Sequence, residues 1–171
     1  EILYFLGYIE NLDNNFVSAR DYFLTAIDCG YSHSEIYSQL AFTYINLLDY
    51  SSIISLLNEA MYYHPDNIDY IYYLGIAYHK NGMHSHAIDY LKQYQSSNRN
   101  DLMVSYLIGI SYHHLREYSK SVKYLKLADK NGKNADILYY IGLSYAQLGN
   151  HKKAIKNYKK SVYLNSKEAD T

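Results

Sequence analysis

The chain has 171 residues, 49% of them hydrophobic, with 16 Lys and Arg against 17 Asp and Glu and a net charge of −1. One cysteine, Cys29, excludes a disulfide framework and a Cys-based zinc site, and is expected to be buried as a small hydrophobe. No run approaches the ~18 apolar residues of a membrane span, and no signal-peptide layout opens the chain, which points to a cytoplasmic location. It begins at Glu1 rather than Met, as a piece of a longer protein would.

Taken in order, the apolar periodicity predicts ten helices. The expected spans are Ile2–Leu12, Phe16–Cys29, Ser34–Leu47, Tyr50–Tyr63, Ile68–Lys80, His84–Ser97, Asp101–His114, Tyr118–Lys130, Ala135–Leu148 and His151–Leu164. Turn signals separate them at Asn14-Asn15, Asn81-Gly82, Asn131-Gly132, Gly149-Asn150 and Pro65-Asp66-Asn67. Asn150 is placed to cap the last helix, and Pro65 sits where a helix N-terminus would leave an N–H orphaned anyway.

The helices come in pairs, and one phrase recurs in each pair: Leu6-Gly7, Leu40-Ala41 with Tyr44, Leu74-Gly75 with Tyr78, Ile108-Gly109 with Tyr112, and Ile141-Gly142 with Tyr145. The small residues are spaced 34, 34, 34 and 33 apart. Twelve residues after each comes Ala19, Ile53, Ala87, Ser121 or Ala154, and four later Phe23, Leu57, Leu91, Leu125 or Tyr158. A glycine inside a helix costs ~1 kcal/mol relative to alanine. Its return at one register therefore implies that a bulky neighbour approaches the backbone there, with Ala19, Ala87 and Ala154 expected to face it from the second helix. A unit this short cannot bury its apolar face alone and must stack on its neighbours.

These residues resemble the tetratricopeptide repeat, whose pattern runs aromatic-x2-Leu-Gly-x2-Tyr, then Ala-x3-Phe or Tyr, then a terminal Pro. The fullest match is Ala135–Glu168, which keeps Gly142, Tyr145, Gly149, Ala154 and Tyr158. The chain departs from the pattern in having no Trp and in filling the terminal Pro slot only with Pro65. The resemblance implies an all-α, right-handed superhelical solenoid of five helix-turn-helix repeats, about 1–33, 34–67, 68–101, 102–134 and 135–168, forming a single domain over 1–171. It also implies a protein-binding scaffold whose first helices line a concave groove.

On that expectation the groove residues are Tyr4, Tyr8, Phe42, Asn46, Tyr72 and Tyr73, followed by His79, Tyr106, Ile110, His113, Tyr139 and Tyr140. Tyrosine supplies 24 residues against four Phe, and an apolar ring with a polar tip suits a half-wet peptide-binding surface. Family members that grip a terminal carboxylate carry Lys three before the glycine and Asn one after it. Here those slots hold Tyr or Ser, and Tyr, Phe, Ile or Leu, so that specificity is not expected.

No phosphate loop, HExxH or nucleophile elbow occurs, so catalytic residues, cofactors and metals are not expected. The histidines His79, His113 and His114 fall near the ends of successive first helices but lack a carboxylate to complete a coordination set. Lysines 120, 123, 126, 130, 152, 153, 156, 159 and 160 form a basic stripe on second helices. A near-neutral pI of 6.8 argues against nucleic acid as partner. Charge is polarised: residues 1–115 hold 4 basic and 12 acidic side chains, the remainder 12 and 5. That polarity favours end-to-end self-association as an alternative to peptide binding, beside a regulatory arm of a larger enzyme or of a secretion or transcription complex.

Overall fold

The computed structural model describes residues 1–169, with side chains through Lys167. Ten α-helices and no strand occur among the described residues. They are α1 (Ile2–Leu12), α2 (Phe16–Asp28), α3 (Ser34–Asn46), α4 (Tyr50–Tyr63), α5 (Ile68–Lys80), α6 (His84–Ser97), α7 (Leu102–His114), α8 (Tyr118–Ala128), α9 (Ala135–Gln147) and α10 (His151–Ala169). Nine follow the expected spans to within two residues at each end, whereas α10 runs five residues past Leu164. Asn165, Ser166 and Lys167 include neither glycine nor proline, so nothing local stops that helix.

Side-chain caps fix several starts. Asp49, Asn67, Asp101, Asn134 and Asn150 accept from the backbone N–H of Ser52, Asp69, Val104, Ile137 and Lys153, each meeting one orphan donor of a first turn. Asn150 caps as expected. Pro65 does not occupy a helix N-terminus: it lies in the turn after α4, and Asn67 takes the capping role.

The three-residue turn inside each pair is built one way. The residue seven after the small residue has positive φ at Asn14 (60°), Leu48 (60°), Gly82 (75°), Arg116 (62°) and Gly149 (73°). The next N–H then reaches back to the carbonyl of Glu10, Tyr44, Tyr78, Tyr112 or Tyr145 at 2.8–2.9 Å. This is a Schellman closure, which satisfies carbonyls that the helix end would otherwise leave open.

The described residues form two compact units, divided between Met83 and His84 within the third expected repeat. In the first, α1 packs on α2 and successive helices pack as far as α5, with α1 and α5 also touching α3. Its buried centre includes Phe23, Ile36, Leu40, Ile53, Leu57 and Leu74. Fully burying such a side chain contributes about 1.5–3 kcal/mol. Tyr70 is also fully buried, its hydroxyl donating to the Ser34 carbonyl at 2.9 Å, and burial raises its pKa. The second unit packs α6 through α10 likewise, around Leu91, Val104, Ile108, Leu125 and Ile141.

Gly7, Gly109 and Gly142 do mark the close approach of a bulky neighbour, as expected, but the nearest atoms are not those of the alanines. A Cβ on Gly7 would lie 2.7 Å from the Phe23 ring, one on Gly109 2.7 Å from Leu125 Cγ, and one on Gly142 2.6 Å from the Tyr158 ring. The partners are thus Phe23, Leu125 and Tyr158, one turn beyond Ala19, Ser121 and Ala154. Cys29 also differs from expectation: it ends α2 with its thiol exposed.

Candidate functional site

In the first unit, α1 places Tyr4 half-buried, its ring stacked on Tyr31 at 5.3 Å and edge-on to Phe5 at 5.4 Å. Burial first, then Tyr31 and Glu35 nearby, raise the Tyr4 pKa, so its hydroxyl stays neutral. Tyr8 and Phe42 each leave 40% of their surface open, and Phe42 meets Phe16 edge-on at 6.3 Å. Asn46 turns back, donating its side-chain amide to the Phe42 carbonyl. On α5, Tyr72 and Tyr73 are half-buried with ring centroids 5.6 Å apart, and His79 is half-buried in the last turn of the helix.

In the second unit Tyr106 and Tyr140 pack against a core cluster that includes Ile110, Leu125 and Ile141. Ile110 itself is buried inside that cluster, so it supports the wall rather than presenting a surface. Tyr139 is 48% exposed, with Tyr140 and Tyr158 each 5.8 Å away. Burial, then the neighbouring Tyr140 and Asp136, raise the Tyr106 pKa. Beside Tyr106 a cleft of about 310 Å³ is lined by Leu102, Met103, Asn134, Asp136 and Ile137. Leu102 and Met103 are 52% and 56% exposed, and sequence reasoning passed over both. The signal existed: six residues before each small residue stand Glu1, Glu35, Asp69, Met103 and Asp136, so Met103 is the apolar exception.

His113 is held rather than free. Its Nδ1 lies 2.9 Å from Ser144 Oγ, and its ring meets Tyr118 and Tyr140 edge-on at 5.5 and 5.7 Å. Burial, then His114 beside it, lower its pKa. The same repeat position in the first unit is Asn11, which is buried and accepts from Thr43 Oγ1 at 2.9 Å. Thr43 and Ser144 both stand two after their small residue, so one polar link recurs between neighbouring first helices. The sequence pattern put His113 on the groove wall but gave no sign of the link, because Thr43 and Ser144 are unremarkable by type.

His84 and His114 stack at 4.4 Å with planes 6° apart, and burial first, then His114, lower the His84 pKa. No group of three His, Cys, Asp or Glu that could hold a metal occurs among the described residues. The nine lysines of the basic stripe are all exposed. Lys126 donates to the Tyr145 hydroxyl at 2.9 Å, and Lys126 and Lys153 lie over the same ring at 5.4 and 5.3 Å from its centroid. No described helix is long and apolar enough to cross a membrane.

Residues 135–168 match the family model of the tetratricopeptide repeat, the segment richest in its pattern. Among solved structures the chain is similar to MamA AMB-1 at 19% identity, covering 96% of this chain and 91% of that one with a TM-score of 0.84. It is likewise similar to residues 41 to the end of MamA from Desulfovibrio magneticus RS-1 at 17% identity, with 97% and 94% covered and a TM-score of 0.87. The MamA RS-1 ArsTM double mutant matches at 16% identity, with 99% and 96% covered and a TM-score of 0.88. No curated protein matches by sequence. The chain thus carries a tetratricopeptide repeat at 135–168, and its all-α fold of paired helices is the fold of those structures.

Proposed function

We propose that the chain is a non-catalytic protein-interaction scaffold that binds a peptide or partner helix on the aromatic faces of its first helices. The observation carrying this reading is the Tyr106 cleft, where a ring fixed by the core stands beside Leu102 and Met103, both more than half exposed. Exposed apolar side chains gathered at a cleft mark interaction surfaces, and rigid tyrosines contribute contact area with little ordering cost. Tyr4, Tyr72, Tyr106 and Tyr139 are its aromatic anchors, with Tyr8, Phe42, Tyr73 and Tyr140 beside them. Asn46, His79 and His113 supply polar edges.

The test is calorimetry of the full chain with a partner recovered by pull-down and mass spectrometry. Truncating Tyr72 and Tyr106 to Ala should weaken binding by about 1–3 kcal/mol per anchor with helicity by circular dichroism retained. Unaltered affinity in the double variant would remove the assignment. A second reading, pairing of copies through opposite charge, is favoured by the charge division between the two units.

A further inference from the structure

A second cleft, of about 350 Å³, opens in the second unit where α6 and the turn after it meet the start of α7 and the end of α8; it shares Leu102 with the Tyr106 cleft but is not lined by Tyr106 itself. Lys92, Arg99 and Lys130 line it, and no Asp or Glu does. All three cations are exposed, and none is in an ion pair among the described residues. Asp101 and Asp129, on the segments that border the cleft, are turned elsewhere. Asp101 accepts from the Val104 N–H at the start of α7, and Asp129 accepts from the N–H groups of Lys133 and Asn134.

Three cations thus line one hollow while Asp101 and Asp129 are spent on backbone amides. Lys92 is also held in place: its ammonium lies over the Tyr112 ring, 5.2 Å from the centroid. Hydrogen bonding to Tyr112 raises its pKa, so it is fully charged at neutral pH. Gln95 donates to Ser105 Oγ at 2.8 Å on the wall, leaving polar atoms to meet a ligand's backbone.

We propose that this cleft binds an acidic peptide segment carrying apolar residues between its carboxylates. The Arg99 guanidinium presents a planar fork that suits a carboxylate, while Lys92 and Lys130 act as point charges. Lys92 stands on α6, Arg99 in the turn after it and Lys130 beyond the end of α8, so the charges come from three segments of the rim and suit carboxylates spread along a peptide rather than one compact anion. Leu102 and Leu127, 52% and 41% exposed, give apolar side chains of such a segment somewhere to rest. A lone phosphate would seek the open amides of the α7 N-terminus, but Asp101 already occupies that position and would repel it. A nucleic acid strand would need a longer basic track with bases stacked along it, and Tyr124 is the one aromatic ring in the lining.

The experiment is fluorescence anisotropy of the full chain with a labelled peptide alternating Glu and Leu, at low and near-physiological salt. The comparison probes are the same peptide with Lys for Glu, a single-stranded oligonucleotide and inorganic phosphate as competitor. Arg99→Glu with Lys130→Glu should weaken the acidic peptide by about tenfold or more. Lys152→Glu with Lys159→Glu, an equal charge change outside the cleft, should alter it by less than about twofold at near-physiological salt, where distant exposed charges are screened. Tyr72→Ala with Tyr106→Ala should leave it unchanged, which separates this site from the aromatic face. Circular dichroism confirms that each variant is folded. Equal loss in both reversal pairs, no binding of the acidic peptide, displacement by millimolar phosphate, or tighter binding of the oligonucleotide would each overturn the proposal.

Discussion

A Cβ on Gly109 would lie 2.7 Å from Leu125 Cγ and 3.0 Å from the Leu125 backbone nitrogen, and a backbone atom cannot swing aside as a flexible side-chain end can. Gly109→Leu should therefore lower stability by about 1–3 kcal/mol, more than the helix recovers by losing a glycine. Thermal melts check this, and a variant melting at or above wild type would mean the position has no packing role. Two imidazoles make a second prediction. His84 and His113 both have lowered pKa values in the folded protein, by burial and by His114. Between those values and the unfolded value of about 6.5 the unfolded chain binds protons that the folded one does not. Stability should thus be complete above about pH 6.5 and fall as the pH drops through that window. Melting temperatures from about pH 7.5 to 5.5 should decline, and His113→Gln should flatten the decline. A slope unchanged by that substitution sinks the attribution to His113.

At the scale of elements, the five turns share one left-handed position, yet glycine fills it only at Gly82 and Gly149. Leu48 and Arg116 hold φ of 60° and 62° with exposed side chains that gain little in return. A left-handed conformation costs an ordinary residue roughly 1–2 kcal/mol, so Leu48→Gly with Arg116→Gly should raise the denaturation midpoint. No gain in urea melts would show those turns to be relaxed by other contacts. The same turns explain what could be read from the sequence. Helix positions were legible because spacing, cap residues and the Tyr of four of the five phrases repeat together, and tertiary packing reinforces that local pattern. What escaped was set in three dimensions. The partner of each glycine depends on where facing helices cross, which put Phe23, Leu125 and Tyr158 in contact instead of the alanines. Ile110 sits at a groove register but turns into the core, because α8 and α9 close over that part of α7. Met103 was legible in principle, as the apolar member of an otherwise acidic column, but it lies outside the register at which the tyrosines recur.

For the whole molecule, the division of charge follows the two compact units. Residues 1–83 carry 2 basic and 10 acidic side chains, and residues 84–171 carry 14 and 7, giving −8 and +7. On the proposal that copies pair through opposite charge, light scattering at low salt should show average mass rising with concentration. It should return toward the monomer as salt shortens the screening length to about 8–10 Å, because exposed charges steer association more than they hold it. A constant monomer mass over the whole series excludes the pairing. The exposed thiol at the end of α2 gives this question an optical handle. Cys29 is the single cysteine of a chain that has no tryptophan, so one dye can be attached there without any prior mutation. A lone tryptophan substituted at Tyr139, in the other unit, would emit against a background of tyrosine alone. Energy transfer from that indole to the dye would then report the separation of the two units in free solution. Mixing copies that carry only the dye with copies that carry only the indole would register their encounter as it happens.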